Sequence, residues 1–206
     1  ATIAAVLAAA ALAGGLTYHV DRLGDERDRA LREAEKSSRI AQYLEEIFTA
    51  NVPSTSKGDE VTAIELLDRA SAGLGEELAS EPELRVDMLV IMGNTYRSLA
   101  AYDRSEALLE EALRIQRDNG WSETKRHAEV LVSLGALLAT QDRIGEAAEV
   151  TETARDVFSA AAPASPEAAT ALHNLAELRF LAARYDEAVD LAEEAHQRRV
   201  RIFGEN

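Results

Sequence analysis

The sequence predicts an all-α fold, a solenoid of helical hairpins, from three observations. A helix–turn–helix pattern recurs three times, centred on Gly93, Gly135 and Ala176, which are 42 and 41 residues apart. One supersecondary unit repeated at a fixed period is typical of a helical repeat array. The same frame of small and apolar residues surrounds each centre. Aromatic residues make up only 5% and charged residues 29% of the 206 residues, which suits helices that pack through small side chains.

Small residues in the first helix of each copy let the second helix approach closely. A glycine inside a helix costs about 0.5–1 kcal/mol, and close packing has to offset that cost. Later alanines let the next hairpin nest against the previous one. The residues predicted to pack the repeats are Leu89, Met92, Gly93, Tyr96 and Ala112 in the first copy, Leu134, Gly135, Ala147 and Ala154 in the second, and Leu175, Ala176, Ala188 and Ala195 in the third.

In this frame the sequence resembles the tetratricopeptide repeat (TPR) family. Ordinary members repeat every ~34 residues, and the longer period resembles the subgroup with extended second helices, found in kinesin light chains and many bacterial signalling proteins. Thr151 and Arg179 depart from the large apolar residues usual at their positions. The resemblance implies a TPR array over residues 79–206, with repeats at 83–119, 127–160 and 166–203. We expect the array to continue beyond Asn206.

Residues 1–20 are apolar and carry no formal charge apart from His19. A helix of this length is about 30 Å long, the thickness of a bilayer's hydrocarbon core, so we predict a transmembrane helix. A secretory signal cleaved near Ala11-Leu12-Ala13, or a buried alanine-rich helix, are the alternatives. The small-xxx-small pairs Ala10/Gly14 and Ala11/Gly15 would allow two spans to pack as a homodimer.

Two further segments lead into the array. Residues 21–36 are dense in charge of both signs, which predicts a solvated juxtamembrane stalk helix with i,i+4 pairs such as Asp25–Arg29. Residues 37–78 are interpreted as a degenerate N-terminal capping repeat, interrupted by a loop at 51–60. Thr62 and Glu65 form a capping-box signature for the helix that follows. Ser80 and Ser165 are predicted to cap the first helices of the first and third repeats.

Charge and composition exclude several function classes. A formal charge of −15 argues against sequence-independent nucleic-acid binding, which needs a basic face, and favours a solvated surface or basic partners. The chain has no cysteine, so disulfides and thiol chemistry are excluded. No catalytic motif, phosphate-binding loop or metal-ligand spacing is present, and we predict no catalytic, cofactor or metal site. The four histidines are expected at the surface or in the groove: His19, His127, His173 and His196.

A candidate binding surface remains. TPR grooves bind peptides or partner helices through the stripe of each first helix that faces away from the packing frame, so the resemblance implies a protein or peptide ligand there. No lysine lies on this stripe, and the lysine-rich carboxylate clamp of chaperone-tail binders is therefore not matched, although Asn94 matches one clamp asparagine. The stripe consists of Val90, Asn94, Arg97, Val132, Ser133, Ala136, His173, Asn174, Glu177 and Phe180, with Ala139 beside it.

The order of parts resembles the C-terminal half of bacterial transmembrane serine/threonine protein kinases, in which a cytoplasmic kinase domain precedes the span. That resemblance implies a single-pass protein of the bacterial cell membrane with an extracytoplasmic TPR sensor or docking domain. ATP and Mg²⁺ would belong to an upstream kinase domain, since no kinase motif lies in this chain. The alternative is a kinase-free, membrane-tethered TPR scaffold that assembles an envelope complex.

Overall fold

The computed structural model describes residues 62–204 without a gap and, before them, residues 23, 24, 27, 28, 30, 31, 34, 35, 37–42 and 45. The chain divides into two compact units, residues 1–56 and 57–206. Every described residue of the first unit is helical. Among the described residues, no helix is both long and apolar enough to cross a membrane. The predicted span at residues 1–20 and the predicted loop at 51–60 lie outside them.

The second unit is an all-α array, with no strand between residues 62 and 204. Its helices form one single element followed by three hairpins. They are α1 (Ala63–Glu77), α2 (Pro82–Ser98), α3 (Tyr102–Asp118), α4 (Lys125–Thr140), α5 (Ile144–Ala161), α6 (Pro166–Leu181) and α7 (Tyr185–Phe203).

The three hairpins pack on one another in chain order. Within them α2 packs on α3, α4 on α5, and α6 on α7. The second helices α3 and α5 also contact the first helix of the following hairpin, and the first helices α2, α4 and α6 contact their neighbours in the row. All thirteen residues that the frame assigns to packing are buried. The core is therefore a chain of interfaces between successive helices, as expected of a solenoid.

The three hairpin turns share one backbone geometry. Ala100, Asp142 and Ala183 occupy the same place in the three copies and have positive φ angles of 58°, 61° and 58°. In each turn the following amide donates back to a carbonyl five residues earlier, as in Ala101 N–H to Tyr96 O at 2.9 Å. This left-handed residue lets the chain reverse after the first helix and satisfies a terminal carbonyl.

Two of the three predicted helix caps are confirmed. The Oγ1 of Thr62 accepts from Glu65 N–H at 3.2 Å and the Glu65 carboxylate accepts from Thr62 N–H at 2.9 Å, which completes the capping box. Ser165 Oγ accepts from Ala168 N–H at 3.2 Å. The prediction for Ser80 was wrong, because α2 begins after Glu81, whose side chain makes no capping bond. Pro82 opens that helix instead, and its fixed φ suits the first helical position.

Helix α1 is attached to the first hairpin through Asp68. One carboxylate oxygen accepts from the Tyr96 hydroxyl at 2.8 Å, and the guanidinium of Arg104 lies 2.7 Å from the same carboxylate. Ala70 and Leu74 of α1 are buried. Helix α1 thus stands in the place of the second helix of a preceding hairpin.

Candidate protein-binding surface

The stripe predicted for ligand binding lies on the first helices of the three hairpins, and none of its residues is buried. It is called here the first-helix stripe. Three of its members, all in α6, are exposed: His173, Glu177 and Phe180. The other seven are half-buried: Val90, Asn94, Arg97, Val132, Ser133, Ala136 and Asn174.

Two neighbouring hairpins meet through polar groups of the stripe. Asn94 Nδ2 donates to Ser133 Oγ across the gap between α2 and α4, at 3.4 Å, and Ser133 Oγ also lies 3.2 Å from Glu129 O. In α6, His173 Nε2 lies 3.6 Å from a carboxylate oxygen of Glu177, one turn along the same helix. The structure thus brings Asn94 and Ser133 together, and His173 and Glu177 together.

Arg97 is the cation of the stripe. Its Nε atom is buried and has no hydrogen-bond partner among the described residues. An unpaired buried donor costs free energy, about 1–3 kcal/mol and more for a charged group. Arg97 is therefore a half-buried cation with one unsatisfied donor.

Ion pairs between hairpins hold the surface in place. Arg126 of α4 pairs with Asp87 of α2, and its Nε donates to that carboxylate at 3.0 Å. Arg143 donates to Glu106 at 2.7 Å, and Arg179 donates to Glu152 at 3.1 Å. Each of these arginines belongs to the hairpin after the one that holds its carboxylate partner. The stripe therefore runs over three helices whose relative positions are fixed by packing and by charge.

His127 corrects the expectation that the histidines lie at the surface or in the groove. It is buried between the first and second hairpins, where its Nδ1–H donates to Gln116 Oε1 at 2.9 Å. Burial, and to a smaller extent the charge of Arg117, lower the pKa of His127. His173 and His196 are exposed, as expected, and His19 lies outside the described residues.

An open apolar groove lies at the far end of the array, on the third hairpin. It has a volume of about 620 Å³ and is lined by residues of both α6 and α7. Phe180 and Tyr185 form one wall, with ring centroids 5.4 Å apart in an edge-to-face arrangement. His173 and Glu177 of the first-helix stripe also line it. A groove of this kind offers apolar area and a few polar groups, and can hold a side chain or a helix face.

Comparison with known proteins identifies the repeats. Two family models, both described as tetratricopeptide repeat, match residues 88–118 and residues 126–199. These matched segments contain most of the first helix and the turn of each hairpin, with Gly93, Gly135 and Ala176. They are tetratricopeptide repeats. The TPR array is a protein-interaction module, built from three hairpins with α1 packed on the first.

Solved structures share the fold of the TPR array. BtubC (BKLC) from P. vanneervenii is 18% identical, with 85% of this chain and 78% of that chain covered and a TM-score of 0.60. A kinesin light chain with nearly identical TPR-like repeats from Podosopora anserina is 20% identical, with 80% and 75% covered and a TM-score of 0.60. No curated protein sequence matches the chain. At these identities the likeness shows the fold alone.

Sequence reasoning missed the groove on the third hairpin, although it named several of its members. Ala188 was predicted to pack and is buried, whereas Tyr185 and Ala192 of the same groove are exposed. Leu181 and Val189 lay outside every predicted set. The signal available in the sequence was the set Phe180, Leu181 and Val189, at positions where the earlier repeats carry smaller or polar residues.

Among the described residues, no group of three His, Asp or Glu side chains is placed to hold an ion.

Proposed function

We propose that the TPR array binds a peptide or a partner helix along the first-helix stripe. The observation that carries this proposal is Arg97, whose buried Nε atom lacks a partner among the described residues. A ligand carbonyl or carboxylate would satisfy this donor once the guanidinium turns toward it, and the Asn94 amide lies one turn away on the same helix. Such a contact would offset the cost of this unsatisfied buried donor only in the bound state.

The experiment uses peptides selected on the full chain from a phage-displayed library of random dodecapeptides. Their affinities are then measured for the wild type and for the triple variant Asn94→Ala, Arg97→Ala, Asn174→Ala. We expect the variant to lose at least about tenfold, equivalent to about 1.4 kcal/mol. Arg114→Ala is the matched control, because Arg114 is exposed on α3, away from the stripe. Unchanged affinity of the triple variant would remove the stripe from consideration.

We further propose that the array is the extracytoplasmic sensor or docking domain of a bacterial membrane-anchored serine/threonine kinase. The support is the order of parts in the sequence, with an apolar segment at 1–20, a charged segment at 21–36 and then the repeats. Ligand binding or self-association of the array would change the proximity of kinase domains across the membrane. ATP and Mg²⁺ would be bound by that domain and not by the array.

Two measurements test this context. If residues 1–20 anchor the protein in a membrane, the chain should stay with bacterial membranes through an alkaline wash. The double variant Leu7→Arg, Leu12→Arg should be released, since charges inside a bilayer are costly. The kinase requires that the parent reading frame encode a kinase domain upstream of Ala1. A reading frame with a short basic segment there would instead favour the kinase-free scaffold.

A further inference from the structure

The first-helix stripe carries its two formally charged residues on different hairpins. Arg97 is in α2 of the first hairpin, and Glu177 is in α6 of the third. Between these two helices lies α4, which contributes Val132, Ser133 and Ala136, none of them charged. The stripe therefore changes in chain order from cationic through uncharged to acidic.

Arg97 differs from the arginines that join one hairpin to the next. Arg126, Arg143 and Arg179 each donate to a carboxylate of the preceding hairpin. Arg97 makes no ion pair with any described residue, and its buried Nε atom has no acceptor among them. The second hairpin has Ala139 at the corresponding position, so the packing of the repeat does not require a cation there. The charge of Arg97 is thus left for an acceptor from outside the described chain.

Glu177 is the acidic residue at the other end of the stripe. Its side chain is 66% exposed, and His173 Nε2 lies 3.6 Å from one of its carboxylate oxygens. That distance is too long for a hydrogen bond, and the histidine carries a charge only when it is protonated. The corresponding positions of the first two hairpins hold Asn94 and Ala136, so packing does not require this carboxylate. Glu177 is free to accept from a lysine or arginine of a ligand.

The charge of the whole chain selects against a ligand that is acidic throughout. The formal charge is −15, and a field of that sign repels polyanionic segments and attracts basic ones. Arg97 favours a single carboxylate at close range. A ligand with one acidic and one basic residue complements both charges of the stripe, and it carries no net negative charge into the field.

The spacing of the helices sets the distance between the ligand's two charges. Helix α4 contacts both α2 and α6, and packed helices lie about 8–10 Å apart, so two steps cover about 16–20 Å. An extended peptide advances about 3.3 Å per residue, and residues about six apart lie on the same side of it. An extended chain also leaves its backbone N–H and C=O groups available to Asn94 and Asn174, whereas a helix bonds them internally.

We propose that the first-helix stripe selects an extended peptide with separated charges, called here the dipolar peptide. A carboxylate side chain lies at Arg97, uncharged residues cross α4, and a lysine or arginine lies at Glu177. This specificity rests on the peptide binding proposed above and adds the order of charges in the ligand.

The probe is a synthetic peptide of serine and valine, about nine residues long, with blocked termini. It carries one glutamate near one end and one lysine about six residues further on. Its matched control has the same composition, with the glutamate and the lysine adjacent at the centre, where they would face α4. Binding of each labelled peptide to the full chain is followed by fluorescence anisotropy. We expect the dipolar peptide to bind at least about fivefold more tightly than its isomer.

Charge reversal at each end of the stripe locates the two contacts. Arg97→Glu should change the preferred ligand to a peptide with lysine at both ends. Glu177→Lys should change it to a peptide with glutamate at both ends. Arg114→Glu and Glu149→Lys are the matched controls, because they alter the net charge equally at exposed positions of the second helices α3 and α5. Both controls should keep the preference for the dipolar peptide, which separates local contact from the field of the whole chain.

Three results would overturn the proposed charge order. They are the absence of measurable binding of the dipolar peptide, equal affinity for its isomer, and a preference that either charge reversal at the stripe leaves unchanged. If the peptides still lose affinity for the triple variant of Asn94, Arg97 and Asn174, the stripe is the binding site and only the charge order is wrong. If the triple variant binds them as the wild type does, the stripe itself is wrong. Thermal unfolding of each variant verifies that the array remains folded.

Discussion

Leu109 fills the space that a side chain on Gly93 would need. A Cβ added to Gly93 would lie 3.1 Å from Leu109 Cγ and 3.4 Å from the Ser105 carbonyl oxygen. The corresponding pairs in the other hairpins are Gly135 with Thr151 and Ala176 with Ala192. In the first two hairpins a glycine on the first helix is paired with a larger residue on the second helix. In the third hairpin both positions are alanine. The two positions therefore act as one packing site.

Gly93→Leu is expected to overpack this site. The new side chain would have to displace Leu109 and the backbone near Ser105, at a cost of about 1–3 kcal/mol in the free energy of unfolding. Urea denaturation of the wild type and the variant measures it. Gly145→Leu is the control, because a Cβ there would meet nothing within 4 Å. If the two exchanges have the same effect, the close approach of α2 and α3 does not depend on Gly93.

Gly135→Ala should destabilise the second hairpin, and Thr151→Ala should relieve the effect. An added Cβ would collide with Thr151 Oγ1, in a place where Thr151 is buried. The double variant has alanine at both positions, which is the pairing that Ala176 and Ala192 already have in the third hairpin. We expect a coupling free energy of about 0.5–3 kcal/mol in a double-mutant cycle. Additive effects of the two exchanges would contradict a shared packing site.

Ala100→Gly is expected to stabilise the first hairpin turn. Ala100 has a φ of 58°, and a left-handed conformation costs an L-residue about 1–2 kcal/mol. Glycine loses about 0.5–1 kcal/mol of that gain to its greater freedom in the unfolded chain. The net gain should be about 0.5–1 kcal/mol, seen as a higher denaturation midpoint. Ala107→Gly, in the exposed middle of α3, should instead lower the midpoint by a similar amount.

Acid should weaken the junction between the first two hairpins through His127. Its pKa is lowered in the folded chain, so the unfolded chain binds more protons and stability is lost as the pH falls below about 6.5. The protonated ring keeps its Nδ1–H bond to Gln116, but burial penalises the charge. We expect the free energy of unfolding to fall on acidification from about pH 7.5 to about pH 5.5, the range in which histidine titrates. The fall should be larger for the wild type than for His127→Gln. Equal falls would assign the acid sensitivity to carboxylates.

The sequence predicts a local feature well when a few side chains close together in the chain are enough to form it. The capping box at Thr62 and Glu65 needs only two side chains and the helix between them. The hairpin turns are different, since Ala100 and Ala183 adopt a conformation usually reserved for glycine. Only the packing of the two flanking helices forces the chain to reverse there. The helix–turn–helix pattern predicts that the chain reverses there, but not that an alanine takes the left-handed conformation.

The position of His127 shows the same limit at longer range. Its neighbours in sequence are Arg126 and Ala128, a mixture that fits either a surface or an interface. The decision comes from Gln116, eleven residues earlier on α3, which supplies a buried acceptor. The first-helix stripe could be drawn from helical periodicity, because that periodicity separates it from the packing frame. The hydrogen-bonded pairs within the stripe, such as Asn94 with Ser133, could not be predicted from periodicity.

The sequence by itself determined the hairpin, its period and the small residues at its centre, since a 41- or 42-residue repeat of one amphipathic pattern has few ways to bury its apolar side. Tertiary structure alone decided which apolar residues remain in water. Val189 and Ala192 correspond to Ala148 and Thr151 of the preceding repeat, which are buried. A sequence pattern shows only the helix face on which a side chain lies. Whether that face is covered depends on the next helix, and in the described chain α7 has none.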